Sequence, residues 1–320
     1  MSARIDDVTI KPVRLTPTEA ELAVEVAFSP AGETCELHGR LMGPTCAYST
    51  TVEVAYPIRK THVSEDDPRK LIGRVIIPEP SWWDPESPFL YGGIVELWQG
   101  NQKTDCVQVY VGLRNLKLTE MGLIWNGHRL SLPGRRRDTF TQGEISEMHR
   151  TGYKLIVVPA DEANAPLWAT ADRVGMLILG LVSSSAPTHL ANLSRSPSCL
   201  GWILTIDSDK EGKAKSCLTL LRHSANDHGH LVGHFVDRPT WPLPIRNSEF
   251  VYRVFPKSPN TSRPIVRLDG DEADSADSSE VLELLPHAWE SNGEVQAFIP
   301  GFKTLSQLGP PPVDQAPPPC

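Results

Sequence analysis

Four histidines fall within twelve residues of one another: His223, His228, His230 and His234. On a strand, His230 and His234 share a face, and two imidazoles with Asp227 or Asp237 nearby are the kind of donor set that binds zinc and activates water. Their spacing matches no strong zinc signature, and histidines in loops and cores are commoner. No metal site or cofactor is therefore assigned, and His230 and His234 stand as the nearest metal candidates. A basic run, Arg135-Arg136-Arg137, offers guanidinium groups for an acidic sugar or a phosphate, with Arg137 as the binding candidate. The plainer reading is a solvated turn that pairs with Asp138. Eight tryptophans are enough for stacking against sugar rings. Most must pack cores, and Trp202 and Trp289 are the two taken as substrate-binding candidates. Two acidic stretches, Asp207-Ser208-Asp209 and Asp269–Glu280, read on their own as solvated loops. There is no glycine-rich phosphate loop, no Gly-x-Ser-x-Gly elbow and no internal repeat.

Elements must position these groups, and the chain has two rhythms. From Ile5 to about Leu118 it alternates apolar and polar residues in short runs, as in Leu22, Val24, Val26 and Phe28. A period of two marks strands with one buried face. Turn residues separate about seven such runs, near 5–11, 20–28, 34–41, 50–56, 71–77, 89–98 and 103–111. Seven short strands in slightly over one hundred residues fit an immunoglobulin-like β-sandwich. Past Gly122, apolar runs alternate with helical segments. Strands are expected at Leu130–Leu132, Lys154–Val158, Met176–Val182, Leu200–Ile206, His230–Val236, Glu249–Phe255, Ile265–Leu268 and Val295–Ile299. Helices are expected at 141–150, 165–174, 188–195, 212–224 and 279–290. That alternation predicts a parallel sheet, and eight strands predict a small, degenerate (β/α)8 TIM barrel. The expected division is 1–118 sandwich, 119–305 barrel and 306–320 proline-rich tail, six of whose last eleven residues are proline.

Bulk properties narrow the function classes. The 320 residues carry 31 Lys and Arg against 39 Asp and Glu, a net charge of −8, which does not suit a nucleic-acid or anionic-membrane partner. No apolar run approaches the roughly 20 residues of a membrane span. The first residues lack the apolar core of a secretory signal, so a soluble, cytoplasmic protein is expected, with secretion left open if the true start lies elsewhere. The six cysteines form no Cys-x-x-Cys pair, and reduced thiols are the expectation, with a local Cys35–Cys46 bridge as the alternative.

Several motifs resemble glycoside hydrolase family 2, which includes β-galactosidase, β-glucuronidase and β-mannosidase. Trp83-x-Pro85-x-x-Pro88-x-x-Tyr91 resembles that family's W-x-P-x-x-P-x-L-Y entry, and Val111-Gly112-Leu113-Arg114 its G-F-R strand. Leu123-Ile124-Trp125-Asn126-Gly127-His128 is similar to its F-x-L-N-G-K turn, and Leu132-x-Gly134 to its first barrel strand. Fainter likenesses lie at Ala171–Met176 and Ser196–Trp202. The family's N-terminal sugar-binding jelly roll has no counterpart in the sequence.

The resemblance implies a sandwich followed by a barrel, and a retaining mechanism with two carboxylates about 5–5.5 Å apart. It also implies where those carboxylates sit, at the ends of strands four and seven, where this chain carries Asp207 (acid/base candidate) and Asp269 (nucleophile candidate). The family has glutamate at both places. The family's Asn before the acid/base residue is Ile206 here, and its second-strand Arg-x-x-His-x-Pro is replaced by Leu155–Pro159, LIVVP. The expectation is a family-2-like pseudoenzyme, weak or inactive, that keeps a cleft for carbohydrate or another partner. The alternatives are an active retaining β-glycosidase, and a scaffold that binds proteins through its sandwich or its proline-rich tail.

Overall fold

The computed structural model describes residues 2–29, 35–119, 122–129, 134–183 and 190–205, together with the strands at 231–236, 250–253, 265–269, 280–283, 289–291 and 294–296. The chain divides into two compact units. One comprises Met1–Asn115 with Arg195–Pro197, the other Leu116–Ser194 with Ser198–Cys320.

The first unit is a β-sandwich. Its strands are β1 (Arg4–Leu15), β2 (Glu19–Ser29), β3 (Cys35–Thr45), β4 (Val54–Pro57), β5 (Arg59–Val63), β6 (Lys70–Pro78), β7 (Leu90–Gln99) and β8 (Gln102–Val111). They form two antiparallel sheets, β1-β2-β6-β5 and β4-β3-β7-β8. The alternation in the sequence is what closes them. Leu22, Val24 and Val26 on β2, Leu37 and Leu41 on β3, and Val95 and Leu97 on β7 are all buried in one core. Glu21 and Glu25 point to the other side of β2, where they pair with Arg74 and with Lys70. Seven expected strands became eight because β5 (RKTHV) is exposed along its whole length. An edge strand needs no apolar face, so the period of two gave it no signal. Cys35 and Cys46 are free thiols, so no bridge joins them.

The second unit opens with a three-stranded antiparallel sheet, β9 (Leu116–Thr119), β10 (Gly122–Trp125) and β11 (His128–Arg129). Asn126 and Gly127, with φ of 48° and 87°, turn β10 into β11, because a two-residue hairpin loop of type I′ needs positive φ at both central positions. Then follow β12 (Gly134–Arg136), α1 (Gln142–Arg150), β13 (Leu155–Pro159), α2 (Ala165–Val174), β14 (Leu177–Ser183), α3 (Leu190–Leu193) and β15 (Cys199–Thr205). The later strands are β16 (Leu231–Val236), β17 (Phe250–Arg253), β18 (Ile265–Asp269), β19 (Glu280–Glu283), β20 (Trp289–Ser291) and β21 (Glu294–Gln296). Strands β12 to β19 pair in chain order, and β19 returns to β12. Pairing is parallel from β12 to β18 and antiparallel on both sides of β19.

Helix ends follow their sequence signals. Thr141 caps α1, its hydroxyl accepting from the Glu144 amide while the Glu144 carboxylate accepts from the Thr141 amide at 2.7 Å. Gly175 ends α2 in the left-handed region at φ 79°. Ile156, Val158, Ile178, Val182 and Leu204 face Ile145, Met148, Leu167 and Ala171 of the helices in a single buried cluster.

Two expectations are corrected here. The segment 279–290 is not a helix, since β19 and the start of β20 lie within it. A short apolar run such as Val281–Leu285 does not separate helix from strand, and the unpaired edges of β12 and β18 decide the matter by taking β19 between them. The eighth strand is accordingly Glu280–Glu283, while Glu294–Gln296 pairs with β20. The expected strand Leu130–Leu132, the helix 212–224 and the tail 306–320 lie outside the described residues.

Candidate functional site

The resemblance puts the two carboxylates at the ends of β15 and β18. β15 ends at Thr205, and Asp207 lies outside the described residues. Asp269 is the last residue of β18, opposite Val281 of β19. Position 234 lies within β16, opposite Leu204, which belongs to the helix-facing cluster. His230 lies outside the described residues. Among those residues, no three His, Cys, Asp or Glu come together in a way that could hold a metal ion. Position 289 opens β20, opposite Gln296.

Trp202 requires a correction. It is fully buried in the helix-facing cluster, stacked on Trp168 with ring centroids 6.5 Å apart and an interplanar angle of 23°. Its ring also covers Gly180, where a β-carbon would come within 2.5 Å. Both faces are enclosed by protein, so the ring is core packing and is not open to a sugar. Strand parity explains the misassignment. Gly201 and Ile203 alternate with Trp202 and Leu204, and it is Trp202 and Leu204 that turn toward the helices.

Arg137 has a partner, though not the expected Asp138. Its guanidinium donates to the Glu144 carboxylate at 3.1 Å and lies 5.5 Å from the centre of the Phe140 ring. The Thr141 amide and hydroxyl, followed by Arg137, hold the Glu144 carboxyl below the usual range. Arg137 is thus tied to the start of α1. Arg135 donates to the Tyr153 hydroxyl at 3.0 Å and covers its ring at 4.7 Å. Arg135 and Arg137 are thus anchored on neighbouring aromatics and a helix cap, which the spacing alone does not reveal.

Asn164 is a residue that sequence reasoning missed. It precedes α2 and is buried at 1% exposure. Its Nδ2 donates to the Asp138 carbonyl at 2.9 Å and the Pro159 carbonyl at 3.2 Å. One side chain therefore joins the loop that follows β12 to the end of β13. An Asn before a helix reads as an ordinary N-cap, and nothing local marks the loop after β12.

The family-like motifs do structural work. Trp83 is fully buried and its amide donates to the Leu113 carbonyl at 2.7 Å. A β-carbon on Gly112 would come within 2.6 Å of Pro197 and 2.9 Å of Trp83. The Tyr91 hydroxyl, itself buried, accepts from the Ser81 amide at 2.8 Å. Asp172 accepts from the Ser198 amide at 3.0 Å.

Comparison with known proteins agrees with this distribution. Residues 3–114 match the family model described as Glycosyl hydrolases family 2. No curated protein matches the chain. Among solved structures, a glycosyl hydrolase family 2 member from Bacteroides cellulosilyticus is similar at 14% identity with a TM-score of 0.58, covering 79% of this chain and 40% of that one. A Bifidobacterium dentium β-glucuronidase complexed with coumarin-3-O-glucuronide is similar at 16% identity and TM-score 0.56, with 79% and 47% covered. Bacteroides uniformis β-glucuronidase 2, covalently bound to cyclophellitol-6-carboxylate aziridine, is similar at 15% identity and TM-score 0.55, with 79% and 37% covered. The likeness is one of fold, and this chain spans less than half the length of each of these proteins.

Proposed function

We propose that this chain is a glycoside hydrolase family 2-like protein with a small, degenerate (β/α)8 barrel, that its hydrolytic chemistry is weak or lost, and that its barrel mouth is kept as a carbohydrate-binding cleft. The observation that carries this reading is the family match over the sandwich, residues 3–114, followed by the ordered strand series β12 to β19. The loss of chemistry is argued from side-chain reach. By the resemblance, Asp207 and Asp269 fall at the strand ends where the family carries glutamates. Each carboxylate is shorter by one C–C bond, about 1.5 Å, and a misplacement of about 1 Å can cost on the order of a hundredfold in rate. Ile206 replaces the amide that would hold a sugar hydroxyl, and LIVVP replaces the polar second strand.

The reading is tested with 4-nitrophenyl β-D-galactoside, β-D-glucuronide and β-D-mannoside, using the full chain and its Asp207→Asn and Asp269→Asn variants. Release of nitrophenol at the uncatalysed rate in all three proteins is expected, together with measurable binding of the corresponding thioglycosides. Turnover that both substitutions abolish would instead establish a working retaining glycosidase with Asp207 as acid/base and Asp269 as nucleophile. Failure to bind any thioglycoside would leave the scaffold reading.

A further inference from the structure

β1 and β8 are the outermost strands of their sheets, each paired with one neighbour, β2 and β7. They lie side by side and line a cleft of about 300 Å³. Ile5 and Ile10 of β1 and Val107 and Val109 of β8 pack on the sandwich core from this cleft and stay partly exposed. An apolar cleft between two open edges is a template for a further extended strand. The chain's own side chains take the edge groups first. The Asp105 carboxylate spans both strands: one oxygen accepts from the Ile5 amide of β1 at 2.9 Å, the other from the Cys106 amide of β8 at 2.8 Å. Arg195, which groups with the sandwich, donates to the Val8 carbonyl at 2.9 Å and is held there by Asp7 at 2.7 and 2.6 Å.

The rest of β1 is protected by its own backbone. Its pairing with β2 slips between Ile5 and Asp7 and again between Pro12 and Arg14, and such irregularities bend an edge away from a straight partner. Pro12 has no amide N–H to offer. Between the two slips lies a regular run, Asp7–Pro12, and the carbonyl that Arg195 covers falls within it. An antiparallel edge left open can pair with a second copy of itself about a two-fold axis. We infer that Asp105 and Arg195 are edge guards: they occupy the hydrogen-bonding groups of β1 and β8 and keep the cleft from accepting an edge strand of a second copy of this chain. Their role is independent of the carbohydrate cleft proposed above.

Sedimentation velocity of the full chain over a range of concentrations tests it, using wild type, Asp105→Ala, Arg195→Ala, the variant with both substitutions, and Asp7→Asn. Wild type should keep one mass at every concentration. The double variant should reach twice that mass as concentration rises, and hydrogen exchange over Arg4–Pro12 should slow as it does. Asp7→Asn loses the same ion pair as Arg195→Ala but leaves a guanidinium over the Val8 carbonyl, so it should behave as wild type. Asp105→Ala breaks no ion pair among the described residues, so its association decides the matter if the double variant fails to fold. A mass independent of concentration in Asp105→Ala and in the double variant overturns the inference. Association as strong in Asp7→Asn as in Arg195→Ala also overturns it, because lost stability would then be the cause. So does association without slower exchange in β1, which would place the contact on another surface.

Discussion

Gly112 shows how a motif residue can be fixed by space alone. Pro197 and Trp83 stand where its β-carbon would be, so Gly112→Ala should destabilise the protein by about 1–3 kcal/mol through overpacking. Urea unfolding of the variant checks this, and an unchanged midpoint would contradict it. Asn164 acts oppositely, by what it supplies. Asn164→Ala leaves the Asp138 and Pro159 carbonyls without their donor and should cost about 1–3 kcal/mol. Asp7 carries a pH signature. Arg195 grips it with two nitrogens at 2.7 and 2.6 Å, and this hydrogen bonding holds its carboxyl below the ordinary value of 3.8. A carboxylate lowered in the folded state contributes stability above its unfolded pKa and loses it as pH falls through the folded value. The stability difference between wild type and Asp7→Asn should therefore be constant at neutral pH and shrink below about pH 4. Parallel denaturation curves across pH 2–7 measure it. A gap that persists to pH 2 would mean the pair acts by packing alone.

At the scale of elements, strength of periodicity decided what could be read. β2, with Leu22, Val24, Val26 and Phe28 on one face, was plain in the sequence, as were the helix at 141–150 and the Asn126-Gly127 turn. β5 was invisible because an exposed edge strand carries no apolar alternation. β19 was misread because a four-residue run has no period to measure, and its state is set by distant partners on β12 and β18. The site suffered the same limit. Types and spacing singled out Trp202, but only strand parity turns it toward the helices, and only the folded chain brings Arg137 to Glu144. The α1 cap offers a clean test at this scale. Thr141→Ala should cost about 1 kcal/mol, and Thr141→Ser should recover most of it. Equal losses in both variants would show that the hydroxyl is not what matters.

Across the whole molecule, the family likeness is strongest where residues hold structure. Trp83, Tyr91 and Gly112 are explained by burial, close approach and hydrogen bonds. A fold can keep such positions long after its chemistry changes, because they answer to packing and the catalytic pair answers to substrate. The proposal that hydrolysis is weak or lost therefore rests on two strand ends. A crystal structure of the full chain, read for the distance between the Asp207 and Asp269 carboxyl groups, tests it most directly. The account predicts a separation well outside the roughly 5–5.5 Å of a retaining pair. Two carboxylates facing one another within that range would contradict it.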